Sequence, residues 1–235
     1  GGTPESARLA TQLALSEGAE IILGPLTAAS VTAAGQVAKS AGKPVIAFST
    51  DASVASRGIY LMSFLPESDV ERIIGFAASK GKGAFAALLP QSSYGSVTEA
   101  AFQQAVAQQG ARAVAIERFS AASGLPAAAQ RLAPAIAGGA PQADALFLPD
   151  GSSLPAAAQA LQAMSFNPAK VKLLGTSQWS DGQALGLPAL QGGWFAGPPD
   201  AGFIAFAARY KARFGSDPVR IASLSYDAVS LVAAL

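Results

Sequence analysis

Apolar residues in this chain recur in two spacings that alternate from end to end. Where they fall about three and four apart, one face of a helix is apolar; where they run unbroken for about five positions, a strand buried on both faces is predicted. A first helix lies between Thr3, which can cap it with Pro4 at its first position, and Gly18, which stops it. Leu9, Leu13 and the alanines between them give that helix an apolar face. Further helices are predicted over residues 31–40, 68–80, 97–109, 125–137, 155–164, 202–214 and 221–235. Strands are predicted over 19–23, 44–48, 59–64, 84–89, 113–117, 144–148, 171–174 and 194–196. Short apolar strands alternating with amphipathic helices mean an α/β protein with parallel sheets covered on both faces. The break at Pro66 favours two smaller α/β lobes over one large sheet. The stretch over residues 182–193 is read as a Gly/Pro-rich connection.

In open α/β sheets, ligands sit outside the carboxyl ends of the strands. The residues immediately after each predicted strand therefore form a candidate site. The stretch ILGPLTAASV stops a strand at Gly24-Pro25 and leads through Leu26, Thr27, Ala28, Ala29 and Ser30 into a helix. Small residues let that helix start come close to a guest, and its free N–H groups favour a polar or anionic one. The other strand ends carry Ser49, Thr50 and Asp51; Gln91, Ser92, Ser93 and Tyr94; Asp150, Gly151, Ser152 and Ser153; and Thr176, Ser177, Gln178 and Trp179. Ser, Thr and Asp at such places also cap helices, and each residue alone is better explained that way. Tyr94 and Trp179 are not capping residues, and all five ends together indicate a binding cleft.

Composition narrows the chemistry. The 235 residues are 51% hydrophobic and 13% charged, with a net charge of +1. Scattered basic residues, with Arg209, Lys211 and Arg213 the nearest to a cluster, argue against nucleic acid. No apolar run reaches the roughly 18 residues of a membrane span. There is no Cys and no His. Disulfides, thiolate catalysis, Ser-His-Asp triads and imidazole or thiolate metal sites are thereby excluded. Neither a cofactor nor a metal is expected. Ser40-Ala41-Gly42-Lys43 fits an S-x-x-K pattern, but it sits at a helix end with no K-T-G or S-D-N partner. The P-loop-like spacing over residues 75–82 is one residue too long and lacks the following Ser or Thr. The acidic run Glu67, Asp69 and Glu71 complements a helix dipole. No catalytic residue emerges, and the chain is expected to be no enzyme.

Several stretches resemble the type I periplasmic binding proteins, the leucine/isoleucine/valine-binding class of solute receptors. They are GGTPESA at the start, ILGPLTAASV, PVIAFSTDASVASRG, LLPQSSYG, ADALFLPDGSS, LLGTSQWSD and SYDAVSL, and they span essentially the whole chain in order. GPL followed by small residues, together with P-x-S-S-x-G, is similar in particular to the lipoproteins that activate penicillin-binding proteins. The resemblance implies two Rossmann-like lobes joined in a hinged clamshell, with residues 1–65 and 197–235 in the first lobe and 66–196 in the second. It also implies that Thr27, Ala28, Ser49 and Thr50 form the first lobe's half of a ligand site, and Tyr94, Asp150, Gly151, Ser177 and Gln178 the second's. Ala28 stands where amino-acid binders tend to have Ser, and Ser177-Gln178 where they place an acid for the ammonium; Asp51 or Asp150 is the candidate replacement.

The family normally has a further strand, helix and strand before GGTPE, so the first lobe is expected to be incomplete at its N-terminus. The resemblance implies two functions. One is an extracytoplasmic receptor that passes a small polar solute to the membrane permease of an ABC-type importer. The alternative is a lipoprotein that docks on a cell-wall synthase, a penicillin-binding protein, through the same fold. Either implies a periplasmic or extracytoplasmic location and allows a lipid anchor in a preceding N-terminal region.

Overall fold

The computed structural model describes residues 2–180 and 186–235. Residues 182–185 of the predicted connection therefore lie outside the described residues. Two compact units form: Gly1–Leu65 with Pro199–Leu235, and Pro66–Pro198.

The first unit contains α1 (Pro4–Ser16), β1 (Ile22–Leu23), α2 (Ala28–Ser40), β2 (Val45–Ala47) and β3 (Ile59–Leu61). The three strands form a parallel sheet in the order β1-β2-β3, with Ile22 opposite Val45 and Val45 opposite Ile59. Alternate residues of β2 serve opposite faces, as the two-residue period of a strand requires. Val45 and Ala47 pack with Val31 and Ala38 of α2, whereas Ile46 joins Phe48, Leu224 and Ala228. Leu224 and Ala228 belong to the last helix of the chain.

The predicted apolar face of α1 is not the buried one. Leu9 and Leu13 are 53% and 60% exposed. Ser6, Ala7, Ala10 and Ala14 instead line a groove of about 490 Å³ with Ala34 of α2 and residues 21–25 along β1. Among the described residues β1 is the edge strand on this side, and none of them forms a strand that covers the leucines of α1. Thr3 does cap α1: its Oγ1 accepts the Ser6 N–H at 3.2 Å.

The second unit contains α3 (Pro66–Ser79), β4 (Ala84–Pro90), α4 (Ser93–Gln108), β5 (Arg112–Phe119), α5 (Leu125–Ile136), β6 (Ala145–Phe147), α6 (Leu154–Ala163), β7 (Lys172–Gly175) and β8 (Trp194–Phe195). Its parallel sheet runs β5-β4-β6-β7-β8. The unbroken apolar run of β4 is explained by two cores. Phe85, Ala87 and Leu89 pack with α3 and α4 residues such as Ile73, Ile74 and Phe102. Ala86 and Leu88 pack on the other face with Leu125, Leu132 and Leu161 of α5 and α6.

That arrangement defines a reversal point. From β4 the chain moves through α4 to the edge strand β5, then returns through α5, on the opposite face, to β6 on the far side of β4. The carboxyl ends of β4 and β6 therefore diverge to opposite faces, which is where open α/β sheets leave a crevice. Helices α7 (Asp200–Phe214) and α8 (Ala222–Ala233) complete the first unit. Asp200 at the start of α7 is paired with Arg220 at 2.6 Å.

Candidate functional site

The strand ends of the first unit are tied together by backbone. The Gly24 N–H donates to the Ile46 carbonyl at 2.7 Å and the Phe48 N–H to the Pro25 carbonyl at 3.0 Å. The Gly24–Pro25 peptide is cis. Leu26 and Thr27 are exposed beyond it, and Ala28 is half-buried as the first residue of α2. Thr27 occupies the N-cap position but makes no capping bond; its hydroxyl pairs with the buried Ser30 hydroxyl at 2.9 Å. Ser49 is buried, and its Oγ accepts the Asp51 N–H at 3.1 Å. Thr50 is exposed. Asp51 accepts from the Ser53 hydroxyl at 2.6 Å and from its N–H at 2.9 Å, bonds that hold its carboxyl below the usual carboxylate range. Hydrogen bonds to the ionised form have that direction.

The second unit gathers its polar groups more tightly, at the reversal point. Tyr94 opens α4, after β4, and its hydroxyl lies 3.2 Å from the Pro149 carbonyl, after β6. It lies 3.0 Å from the Thr176 hydroxyl, after β7. Thr176 is buried and itself donates to the Pro149 carbonyl at 2.9 Å. Three strand ends are thus joined through two hydroxyls and one carbonyl.

Two further bonds brace the loops. The Gly151 N–H donates to the Gln178 Oε1 at 2.8 Å, and the Ser177 N–H to the Asp69 Oδ2 at 2.9 Å. Gly151 has no room for a side chain, since a Cβ there would lie 2.6 Å from the Gln178 carbonyl oxygen. Asp150 precedes a short 3₁₀ turn without capping it; its carboxylate accepts only the Ser152 hydroxyl among its described bonds, at 2.9 and 3.1 Å.

Trp179 is the clear departure from expectation. Its ring is 3% exposed within the α5–α6 core, and its Nε1–H donates to the Leu148 carbonyl at 2.8 Å. It holds the β6 and β7 ends together from beneath and offers no surface to a ligand. One participant, Asp69, was missed in the sequence, and another, Thr176, was found there only as a strand-end residue. Thr176 is the first residue after β7 in GTSQW, so the strand-end rule reaches it directly. Asp69, in the first turn of α3, is accounted for by the helix dipole alone and gave no separate signal.

Burial raises the Tyr94 hydroxyl from its usual 10.0 to about 12, against a lowering by the Thr176 bond, with Asp69 and Asp150 adding to the rise. The folded protein therefore holds this proton where the unfolded chain has lost it. The stabilisation is complete below about pH 10 and disappears as pH rises to about 12. Tyr94→Phe is expected to show a shallower loss of stability across that window than the parent, measured by urea unfolding at stepped pH. Parallel alkaline limbs would contradict it.

Among curated proteins, no sequence matches this one. Solved structures do. A solute-binding protein of an ABC transporter from Rhodopseudomonas palustris, in complex with 3,4-dihydroxybenzoic acid, superimposes with a TM-score of 0.73 at 22% identity. The match covers 97% of this chain and 65% of that one, so the chain spans under two thirds of that relative's length. A protein assigned as a branched-chain amino acid ABC transporter from Rhodospirillum rubrum gives 0.79 at 18% identity over 100% of this chain and 69% of that one. The branched-chain amino acid transporter substrate-binding protein of Streptococcus pneumoniae, in complex with isoleucine, gives 0.70 at 20% over 98% and 68%. At these identities the likeness is one of fold, that of the type I periplasmic binding proteins. The sequence profile of the periplasmic binding protein family matches residues 1–235, and the chain belongs to that family of extracytoplasmic, non-enzymatic binding proteins.

Proposed function

We propose that this protein binds a small polar solute, amino-acid-like or related, and delivers it to the membrane permease of an ABC-type importer. The observation that carries this reading is the cluster at the reversal point of the second unit. There Tyr94, Pro149 and Thr176 interlock three strand ends, leaving Asp150, Ser177 and Gln178 at the same ends. Crevices of this kind are where α/β sheets hold ligands. Family membership supports the same reading, as do the amino acid and aromatic acid held by two of the relatives. The first unit carries a candidate set of its own at its strand ends, Leu26, Thr27, Ala28, Ser49, Thr50 and Asp51.

A solute that binds only the folded protein stabilises it by mass action, by about 2.7 kcal/mol at a hundredfold excess over Kd, and so raises its unfolding midpoint. A thermal-shift screen of amino acids, aromatic acids, short peptides and muropeptides is expected to yield at least one saturable rise. No rise with any of them, together with a stable complex with a penicillin-binding protein, would replace the importer reading with the docking one. Thr50→Ala and Asp150→Ala serve as site variants. Thr50 is exposed and the Asp150 carboxylate caps nothing, so each should change stability by less than about 0.5 kcal/mol while weakening solute binding. A large loss of stability would make them structural instead.

A further inference from the structure

The second unit separates its charges. Lys80 and Lys82 precede β4, Arg112 opens β5, and Lys170 and Lys172 lie just before and at the start of β7. The sheet is parallel, so these cations share one edge, that of the strand amino ends, at the opposite end from Tyr94 and Thr176. Backbone laces that edge together: the Arg112 N–H donates to the Gly83 carbonyl and the Lys172 N–H to the Asp144 carbonyl, both at 2.9 Å. Among the described residues none of these cations is paired with a carboxylate. Lys170 and Lys172 each give one hydrogen to a carbonyl, of Gly139 and Gly192. Asp144 is the described carboxylate of this unit at the same edge, and its Oδ2 accepts the Gly83 and Ala84 N–H groups, each at 2.9 Å. Glu67, Asp69 and Glu71 stand at the start of α3, at the end where Asp69 braces Ser177. Glu99 and Glu117 are bound to Arg118 and Arg131.

Two aromatic rings continue the edge. Trp194 opens the edge strand β8 and meets Phe76 of α3 edge-on, with ring centroids 5.1 Å apart and planes at 77°. The Lys80 Nζ lies 5.4 Å from the Phe76 ring centroid and the Lys172 Nζ 5.0 Å from that of Trp194. Phe76 is 45% exposed and Trp194 is half-buried. Each ring is thus flanked by an ammonium on a long apolar stem, a combination suited to a boundary between apolar and charged surroundings. Charges of one sign gathered at one end also repel one another, and a surface of opposite sign offsets that.

We propose that the amino edge of this sheet is a docking surface for a membrane leaflet rich in anionic phospholipid. The cations are spread along a sheet roughly 20 Å wide, at about 4.8 Å per strand. A leaflet offers negative charge over that breadth without a matching shape. Lys and Arg pair with the phosphates, while Phe76 and Trp194 lie at headgroup level, where such rings concentrate. Docking by this edge leaves the strand carboxyl ends of the unit open, so it does not depend on which solute they hold.

Sedimentation of the intact chain with lipid vesicles measures this. Vesicles of phosphatidylcholine with about 30% phosphatidylglycerol are expected to take up the chain at least about tenfold more strongly than phosphatidylcholine alone. Raising salt from about 50 mM to about 500 mM should abolish the difference. Lys82→Gln, Arg112→Gln and Lys170→Gln, all outside the ring contacts, should each weaken uptake about fivefold, whereas Lys39→Gln on α2 should change it less than about twofold. Vesicles with brominated acyl chains should quench the Trp194 fluorescence, and Trp194→Phe should remove that quenching, since Trp179 is buried. Equal uptake by neutral and anionic vesicles, or undiminished uptake in all three Gln variants, would overturn the proposal. Uptake with no quenching of Trp194 would overturn it too. Binding of poly-glutamate without uptake by anionic vesicles would assign the edge to an acidic polypeptide and overturn the membrane reading.

Discussion

Gly95→Ala is expected to destabilise the Pro66–Pro198 unit by about 3 kcal/mol, the upper end for overpacking a close-packed site. A Cβ at Gly95 would lie 1.7 Å from the Pro90 carbonyl oxygen and 2.8 Å from its carbon. Both are backbone atoms of the β4 end, so relief requires the strand end or the start of α4 to move. That start is fixed by the Ser92 Oγ, which accepts the Gly95 N–H at 3.1 Å, and by the Ser92 N–H, which donates to the same Pro90 carbonyl. Tyr94 lies between these anchors, so solute binding should fall along with stability. Gly139→Ala, where a Cβ would meet nothing within 4 Å, should stay within about 0.5 kcal/mol. Urea unfolding of the two variants beside the parent measures the contrast. Equal midpoints would refute the close approach of α4 to β4.

Phe102→Ala carries the second large effect, a loss of about 3–5 kcal/mol. Phe102 is fully buried and lies parallel to the equally buried Phe147, ring centroids 5.5 Å apart and planes 5° from coplanar. It joins α4 to β6 within the core that also contains Val70, Ile73, Ile74 and Val106. Truncation removes a ring of contacts that this core cannot close over, because its neighbours are anchored on three separate elements. The loss should appear in the unfolding transition of the second unit, with signals from the first unit unchanged. A loss below about 1 kcal/mol would mean that the core collapses into the space.

The α/β architecture was legible because β4 spells its environment. Six consecutive apolar residues, Ala84 to Leu89, are too few for a buried helix and suit a strand covered on both faces, and the two cores lie on alternate side chains. The meeting of Tyr94 with residues after β6 and β7 was legible only as a place, from the rule that ligands gather at strand ends. Which hydroxyl faces which carbonyl depends on sheet order, and no local pattern states that order.

Other misreadings share one cause: local chemistry does not name the partner. Leu9 and Leu13 keep helical spacing, yet burial needs a facing element, and among the described residues none packs over them beyond β1. Trp179 is amphipathic and fits a rim or a core equally well. The Leu148 carbonyl, some thirty residues earlier in the chain, drew it into the core. Asp69 did what an acid at a helix start ordinarily does, and its bond to Ser177 spans 108 residues, beyond the reach of any sequence window. Thr27 and Asp150 looked like caps, but neither side chain caps anything, which leaves their oxygens for other uses.

Solute binding at the reversal point is tested by an amide chemical-shift titration of the isotopically labelled chain with whichever solute gives the largest thermal rise. Saturable shifts are expected at Tyr94, Gly151 and Ser177, the backbone of the loops joined there. Saturable shifts confined to residues away from the strand ends, with those three amides unmoved, would contradict it.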